Sequence, residues 1–313
     1  MVNEIISSRT RGKGMKGQIT FLHPNIRRFT IAYNQDELDN ISPDKIVLWN
    51  KYIEVNDEMV VLRERIKKAT LPYLIEGDKG TGKTLMVRTL AKELGYALVE
   101  IRCGDNIKDR HLFGSPQLEG DTSYLNAGRL AVAFKGLKIY NNVLVFFDGL
   151  DFLTTEVQLQ LLSLFDKRKS IEVAGQVFNV EDDEKLMIVC STNPPIYSGV
   201  NTIVDTLRSR LVGEIRTTPT SAQYKKILDW KGIPIGTVQS PLLTIVSSTH
   251  DLAVKNHITH VLSPRDVEQF IEIYNDTKDI AQCINQSILI KYSDLTEREQ
   301  IKERCIETFG VDV

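Results

Sequence analysis

Eight consecutive residues, Gly77-Asp78-Lys79-Gly80-Thr81-Gly82-Lys83-Thr84, carry what a polyphosphate needs from a protein. The glycines let the backbone turn tightly, so that successive N–H groups point into one concavity. Lys83 supplies a point charge to β- and γ-phosphates, and the Thr84 hydroxyl is a ligand type that Mg²⁺ accepts. The spacing is G-x-x-x-x-G-K-[ST] in full. Further along, Asp148 ends the apolar run 143–147. A carboxylate at the C-terminal end of a buried strand, beside the cradle strand, is where a Mg²⁺-holding acid is needed. The next position is Gly149, which has no side chain and cannot orient a water as a general base. Asp151, three residues after Asp148, is the nearest carboxylate that could take that role; its other reading is a loop-stabilising acid.

Such a cradle works only between a strand and a helix whose N-terminus adds its positive dipole end. The pattern supplies both: an apolar strand over 71–75, then a helix over 83–94 with Gly95 as its cap. Strands are expected at 97–101, 143–147 and 186–190, with another at 213–217. Helices are expected at 57–68 and 157–165, the latter capped by Thr155 with Gln158 three residues on. The fully apolar runs imply strands buried on both faces, and the alternation implies a doubly wound parallel α/β sheet. A hairpin is expected over 171–180, turning near Ala174-Gly175. Beyond Thr218 only helices are expected, at 221–231, 240–256, 263–276 and 280–308, so a small all-helical domain follows. The organisation read from this is a basic, irregular arm at 1–35, a nucleotide-binding core at 36–219 and a helical domain at 220–313.

The whole chain has 313 residues, 42% hydrophobic and 26% charged, with a net charge of -2. That balance excludes a uniformly basic nucleic-acid coat and an acidic tail as descriptions of the whole. The four cysteines, Cys103, Cys190, Cys283 and Cys305, show no CxxC spacing. They point to a reducing, cytoplasmic setting rather than a disulfide framework. No apolar run approaches a membrane span or a signal peptide.

On these residues the chain resembles an AAA+ ATPase of the branch containing the MoxR-type and dynein-related proteins, over roughly residues 45–275. The resemblance implies ATP and Mg²⁺ as ligands and aligns Asp148 with the Walker B aspartate. Arg110-His111-Leu112-Phe113-Gly114 resembles the insert that interrupts the helix after the second strand, and the hairpin at 171–180 resembles a further insertion of that branch. Ser191-Thr192-Asn193-Pro194-Pro195 is similar to sensor 1, with Asn193 as the water-orienting residue. Leu207-Arg208-Ser209-Arg210-Leu211 is similar to the arginine-finger segment, with Arg210 the better match and Arg208 the second. Ser263-Pro264-Arg265 resembles sensor 2: Ser263 caps a helix, Pro264 suits its first turn and Asp266 closes the cap, which fixes Arg265. The family normally has Asp-Glu where this chain has Asp148-Gly149, so the resemblance implies ATP binding more firmly than fast hydrolysis.

What the resemblance implies for partners is a homo-oligomeric ring, usually hexameric, with Arg210 serving a neighbour's nucleotide. A protein client reached through a von Willebrand A-like partner belongs to the same picture. Three functions compete: a remodelling machine, a nucleotide-gated scaffold that hydrolyses little, and a nucleic-acid motor or loader using the basic arm. His250, His257 and His260 lack further metal ligands nearby in sequence and read as surface histidines. The acidic run 181–184 reads as a solvated loop, and Trp49 and Trp230 as packing aromatics.

Overall fold

The computed structural model describes residues 16–20, 30–54, 57–119, 122–173, 175–194, 202–217, 221–233, 235–255 and 257–313. They form two compact units. The first comprises Met1–Lys51, Met59–Glu76 and Thr84–Ile215; the second comprises Tyr52–Glu58, Gly77–Lys83 and Arg216–Val313.

The strands, in chain order, are β1 (Lys16–Thr20), β2 (Thr30–Asn34), β3 (Tyr73–Gly77), β4 (Ala97–Arg102), β5 (Gly114–Glu119) and β6 (Thr122–Ala127). They continue as β7 (Asn142–Asp148), β8 (Ile171–Val173), β9 (Gln176–Phe178), β10 (Lys185–Thr192) and β11 (Val212–Thr217). The main sheet has the order β11-β3-β10-β7-β4. Its pairs β3–β10, β10–β7 and β7–β4 are parallel, as the alternation of strands and helices requires. At its centre Val143, Val145 and Phe147 face a cluster completed by the helix Arg129–Tyr140. Leu144 and Phe146, pointing the other way, are equally buried. A strand covered on both faces has no room for polar alternation, which is why 143–147 reads as an unbroken apolar run.

Several elements differ from expectation. Of the arm expected at 1–35, residues 1–15 and 21–29 lie outside the described residues, while 16–20 and 30–34 are strands. β2 buries Ile31, Ala32 and Tyr33 and pairs in parallel with β6. The result is a second sheet of order β1-β2-β6-β5, built on the β5–β6 hairpin that no sequence pattern announced. The helix expected at 157–165 is two, Thr155–Gln160 and Leu162–Phe165. Its cap is Thr154, and no hydroxyl makes the cap bond; Gln158 instead turns inward, donating to Leu153 O at 2.9 Å and accepting from Val204 N at 2.8 Å. The hairpin expected at 171–180 is β8–β9.

In the second unit the helices Ser221–Trp230, Ser240–Val254, Pro264–Thr277 and Leu295–Phe309 surround a core that includes Leu228, Val238, Phe270 and Ile301. The helix expected over 280–308 is interrupted: Asp294 accepts from Thr296 N and Glu297 N at 2.9 and 3.0 Å and so starts a new helix.

Candidate functional site

β3 delivers the chain to Gly77 and the helix Lys83–Glu93 carries it away. Between them Gly80 and Gly82 have φ of +78° and +85°, conformations only glycine takes without strain. Space is tight for a side chain as well. A Cβ on Gly80 would lie 3.0 Å from Ser263 Oγ and 3.2 Å from Arg265 N, and one on Gly82 would lie 3.1 Å from the Tyr52 ring. The Tyr52 hydroxyl donates to Glu58 at 2.9 Å, which fixes that ring beside the loop. Thr81 Oγ1 donates to Asp78 O at 2.9 Å, closing the turn from inside. Lys83 Nζ donates to Gly77 O at 2.6 Å and Asp78 O at 2.9 Å, so the ammonium is curled over the loop that precedes it.

The segment touching Gly80 is itself braced. Ser263 N–H and Oγ both donate to Asp266 Oδ2, at 2.8 and 2.7 Å, which is the expected cap of the helix Pro264–Thr277. His260 Nε2 lies 3.3 Å from the same oxygen, and Lys291 Nζ is 3.2 Å from Oδ1. Burial alone would raise the Asp266 pKa, but the hydrogen bonds from His260 and Ser263 outweigh it and hold the carboxyl well below the usual range. Arg265 is thereby anchored at the second residue of that helix, its side chain exposed.

In the first unit, Thr84 Oγ1 donates to Asp148 Oδ2 at 2.8 Å across 64 residues of sequence. β10 runs beside β7 with Cys190 opposite Phe147, so Ser191 stands level with Asp148. Ser191 Oγ donates to Asp148 Oδ1 at 2.9 Å and accepts from Gly149 N–H at 2.8 Å. Cys103 N–H donates to the Asp148 carbonyl at 2.9 Å. Burial, and the negative charges of Asp148 and Asp151 next to it, push the Cys103 thiol far above its ordinary pKa. A hydroxyl and a carboxylate held together are hard oxygen donors of the kind Mg²⁺ takes, so the residues present fit that ion.

Gly149 is left-handed, with φ +86° and ψ 55°, and a tight turn over Leu150–Phe152 follows. That turn buries Asp151 at 2% exposure and aims it at Asn193, whose backbone N–H donates to Oδ2 at 3.3 Å. Two residues singled out separately in the sequence, Asp151 and Asn193, are therefore brought together, with the acid bracing the end of β10. Arg210 hydrogen-bonds through Nη1 to Thr206 O in the turn before it. Arg208 is exposed. Pro195, at the end of the segment resembling sensor 1, lies outside the described residues. Ser191 is not among the site residues expected from the sequence; its signals there are its place at the head of the segment resembling sensor 1 and a hydroxyl near the end of an apolar strand. Among the described residues no group of three or more His, Cys, Asp and Glu side chains could hold a metal by itself.

Comparison with known proteins agrees with this geometry. Residues 72–211 match the family model of the AAA domain, dynein-related subfamily. Over 177 residues, 56% of this chain, the sequence is 26% identical to protein NorQ of Paracoccus denitrificans and spans 63% of it. It is 22% identical over 177 residues to the denitrification regulatory protein NirQ of Pseudomonas aeruginosa, spanning 66% of that protein. Midasin of Giardia intestinalis is 30% identical over 125 residues, 39% of this chain but 2% of midasin. The chain thus spans just under two thirds of the NorQ and NirQ relatives. Cradle, flanking strand and helix, and Asp148 all lie inside the stretch 72–211 that is similar to the AAA domain of the dynein-related subfamily.

Proposed function

We propose that the chain binds Mg²⁺-ATP and works as an oligomeric, MoxR-like remodelling factor on a protein partner, with slow ATP hydrolysis. The observation that carries the binding step is the 2.8 Å hydrogen bond from Thr84 to Asp148. It supports reading these two as metal ligands and Gly77 to Lys83 as the phosphate cradle. When bound, Mg²⁺ would neutralise charge on the phosphates. Lys83, freed from its own loop carbonyls, supplies the second positive charge. Asn193 orients water, Arg265 reports on the nucleotide from its capped helix, and Arg210 serves a neighbouring subunit in a ring, six being the usual number. In this reading 36–219 is the core and 220–313 the helical lid, in a reducing compartment such as the cytoplasm. All four thiols are free. Among the described residues no helix is long and apolar enough to cross a membrane.

Slow hydrolysis follows from Gly149 and Asp151. A base must reach its water directly or through one more water. Gly149 offers no side chain, and Asp151 is buried against Asn193 N–H. Loss of a positioned base costs about 10²–10⁴-fold in rate. The same observation favours a second reading, a scaffold in which ATP holds subunits together. NirQ is named as a regulatory protein, and a regulator that binds and releases a client agrees with either reading. A partner with a von Willebrand A-like domain is the client route the resemblance implies; a nucleic-acid role would rest on the arm, most of which lies outside the described residues.

The test is to size wild type and Lys83→Ala with and without Mg²⁺-ATP and to measure phosphate release on the assembled species. ATP-dependent assembly that Lys83→Ala loses supports the proposal. Turnover stimulated by a co-purifying protein selects the remodelling factor, and assembly without turnover selects the scaffold. Absence of any nucleotide binding removes both.

A further inference from the structure

We propose that Ser191 is the positioning residue that sets the metal-holding carboxylate of Asp148, and that it does so by locking the glycine turn onto that carboxylate. The inference rests on reading Asp148 as the Mg²⁺ ligand and names a residue that reading does not require.

Ser191 is 1% exposed. Its single hydroxyl proton goes to Asp148 Oδ1 at 2.9 Å, and its oxygen accepts the Gly149 N–H at 2.8 Å. Asp148 Oδ2 is held by Thr84 at 2.8 Å. The carboxylate is therefore gripped at each oxygen by a different element, the helix Lys83–Glu93 on one side and β10 on the other. Thr84 is itself a candidate ligand, so among the described residues Ser191 is the hydrogen-bond partner that can hold the carboxylate in place independently of the ion. A serine can accept from an amide and donate to a carboxylate with one atom. Alanine does neither, and would leave the buried Gly149 N–H and one oxygen of the half-buried Asp148 carboxylate short of a partner. Groups that hydrogen-bond a ligating side chain typically change metal affinity about 10- to 100-fold when removed.

The probe is a slowly hydrolysed fluorescent ATP analogue, titrated at a series of MgCl₂ concentrations and again in EDTA. For Ser191→Ala the Mg²⁺ needed for half-maximal binding should rise about 10-fold or more, while affinity in EDTA stays at the wild-type value. Ser191→Cys, which keeps the shape at a somewhat larger volume but is a weak donor and acceptor, should shift the Mg²⁺ requirement in the same direction. A merely structural role would weaken binding with and without Mg²⁺ alike. Asp148→Asn is the control for the underlying reading and should abolish the Mg²⁺ effect. If Asp148→Asn behaves so and folded Ser191→Ala or Ser191→Cys keeps the wild-type requirement, this inference is wrong and the reading of Asp148 stands. If Asp148→Asn leaves the Mg²⁺ effect intact, the reading of Asp148 falls and this inference with it. Should Ser191→Ala not fold, the cysteine variant decides.

Discussion

A Cβ built on Gly149 would lie 2.6 Å from Cδ2 of Phe152, at a residue whose φ is +86°. The glycine after Asp148 is thus required by the backbone, and the absent acid is a property of the turn as much as of the residue. Replacing it by glutamate forces a left-handed L-residue and a displaced phenyl ring, at a cost of roughly 1–3 kcal/mol. We expect Gly149→Glu to lower the urea midpoint accordingly and to leave phosphate release unimproved. A folded, undestabilised variant with faster turnover would show that the turn can open to accept a base.

Lys83 is held by the carbonyls of Gly77 and Asp78. A charge-assisted contact to phosphate is worth roughly 1.5–3 kcal/mol, so Lys83→Ala should weaken ATP binding about 10- to 100-fold. Because the loop carbonyls can turn to water, its unfolding free energy should change by less than about 1 kcal/mol. Calorimetric titration and a denaturant curve measure the two separately.

Asp266 has its carboxyl pKa held well below the ordinary range, by hydrogen bonds from His260 and Ser263 that outweigh burial. A depressed carboxyl stabilises the fold above its unfolded pKa of about 3.9 and loses that contribution as pH falls through the folded value. The stability gap between wild type and Asp266→Asn, roughly 3 kcal/mol near neutrality, should therefore narrow as the pH drops below about 4. Unfolding followed at a series of acid pH values would reveal a constant gap if the carboxylate were not charged in the fold.

Lys169 behaves in the opposite sense. It is 8% exposed and donates to Ala69 O and, at 2.6 Å, to Leu186 O. Burial pulls its pKa down to about 8. Below that pH both folded and unfolded chains carry the proton, and the fold bears the full cost of the buried cation. Between about 8 and the unfolded value near 10.4 only the unfolded chain keeps it, so stability contributed at this site rises with pH. Wild type minus Lys169→Met should gain stability across that window; a flat difference would mean that the lysine is not desolvated.

The chemistry at Gly77–Thr84 and the strand ending in Asp148 were legible in the chain because both are local: a fixed spacing in one case, an apolar run in the other. The Ser263 cap was legible for the same reason, since Pro264 and Asp266 lie within one turn of it. Even the break at Asp294 has a local sign, a capping acid with Glu297 three residues on. The helix Arg129–Tyr140 was not legible. Leu130, Ala131, Val132, Ala133, Phe134 and Leu137 are all buried, so no amphipathic period remains to be read. Nor was the pairing of β2 with β6, which joins residues near 30 to residues near 125. Periodicity says which face of a strand is apolar and nothing about which strand lies beside it. Only the order β3-β10-β7 places Ser191 against Asp148 and Gly149, and only the turn after Gly149 sends Asp151 to Asn193. Spacing along the chain is what points to the proposed ligand class; which side chains hold the Asp148 carboxylate is settled by the fold, because hydrogen bonds over 40 residues of chain exist only once the sheet has formed.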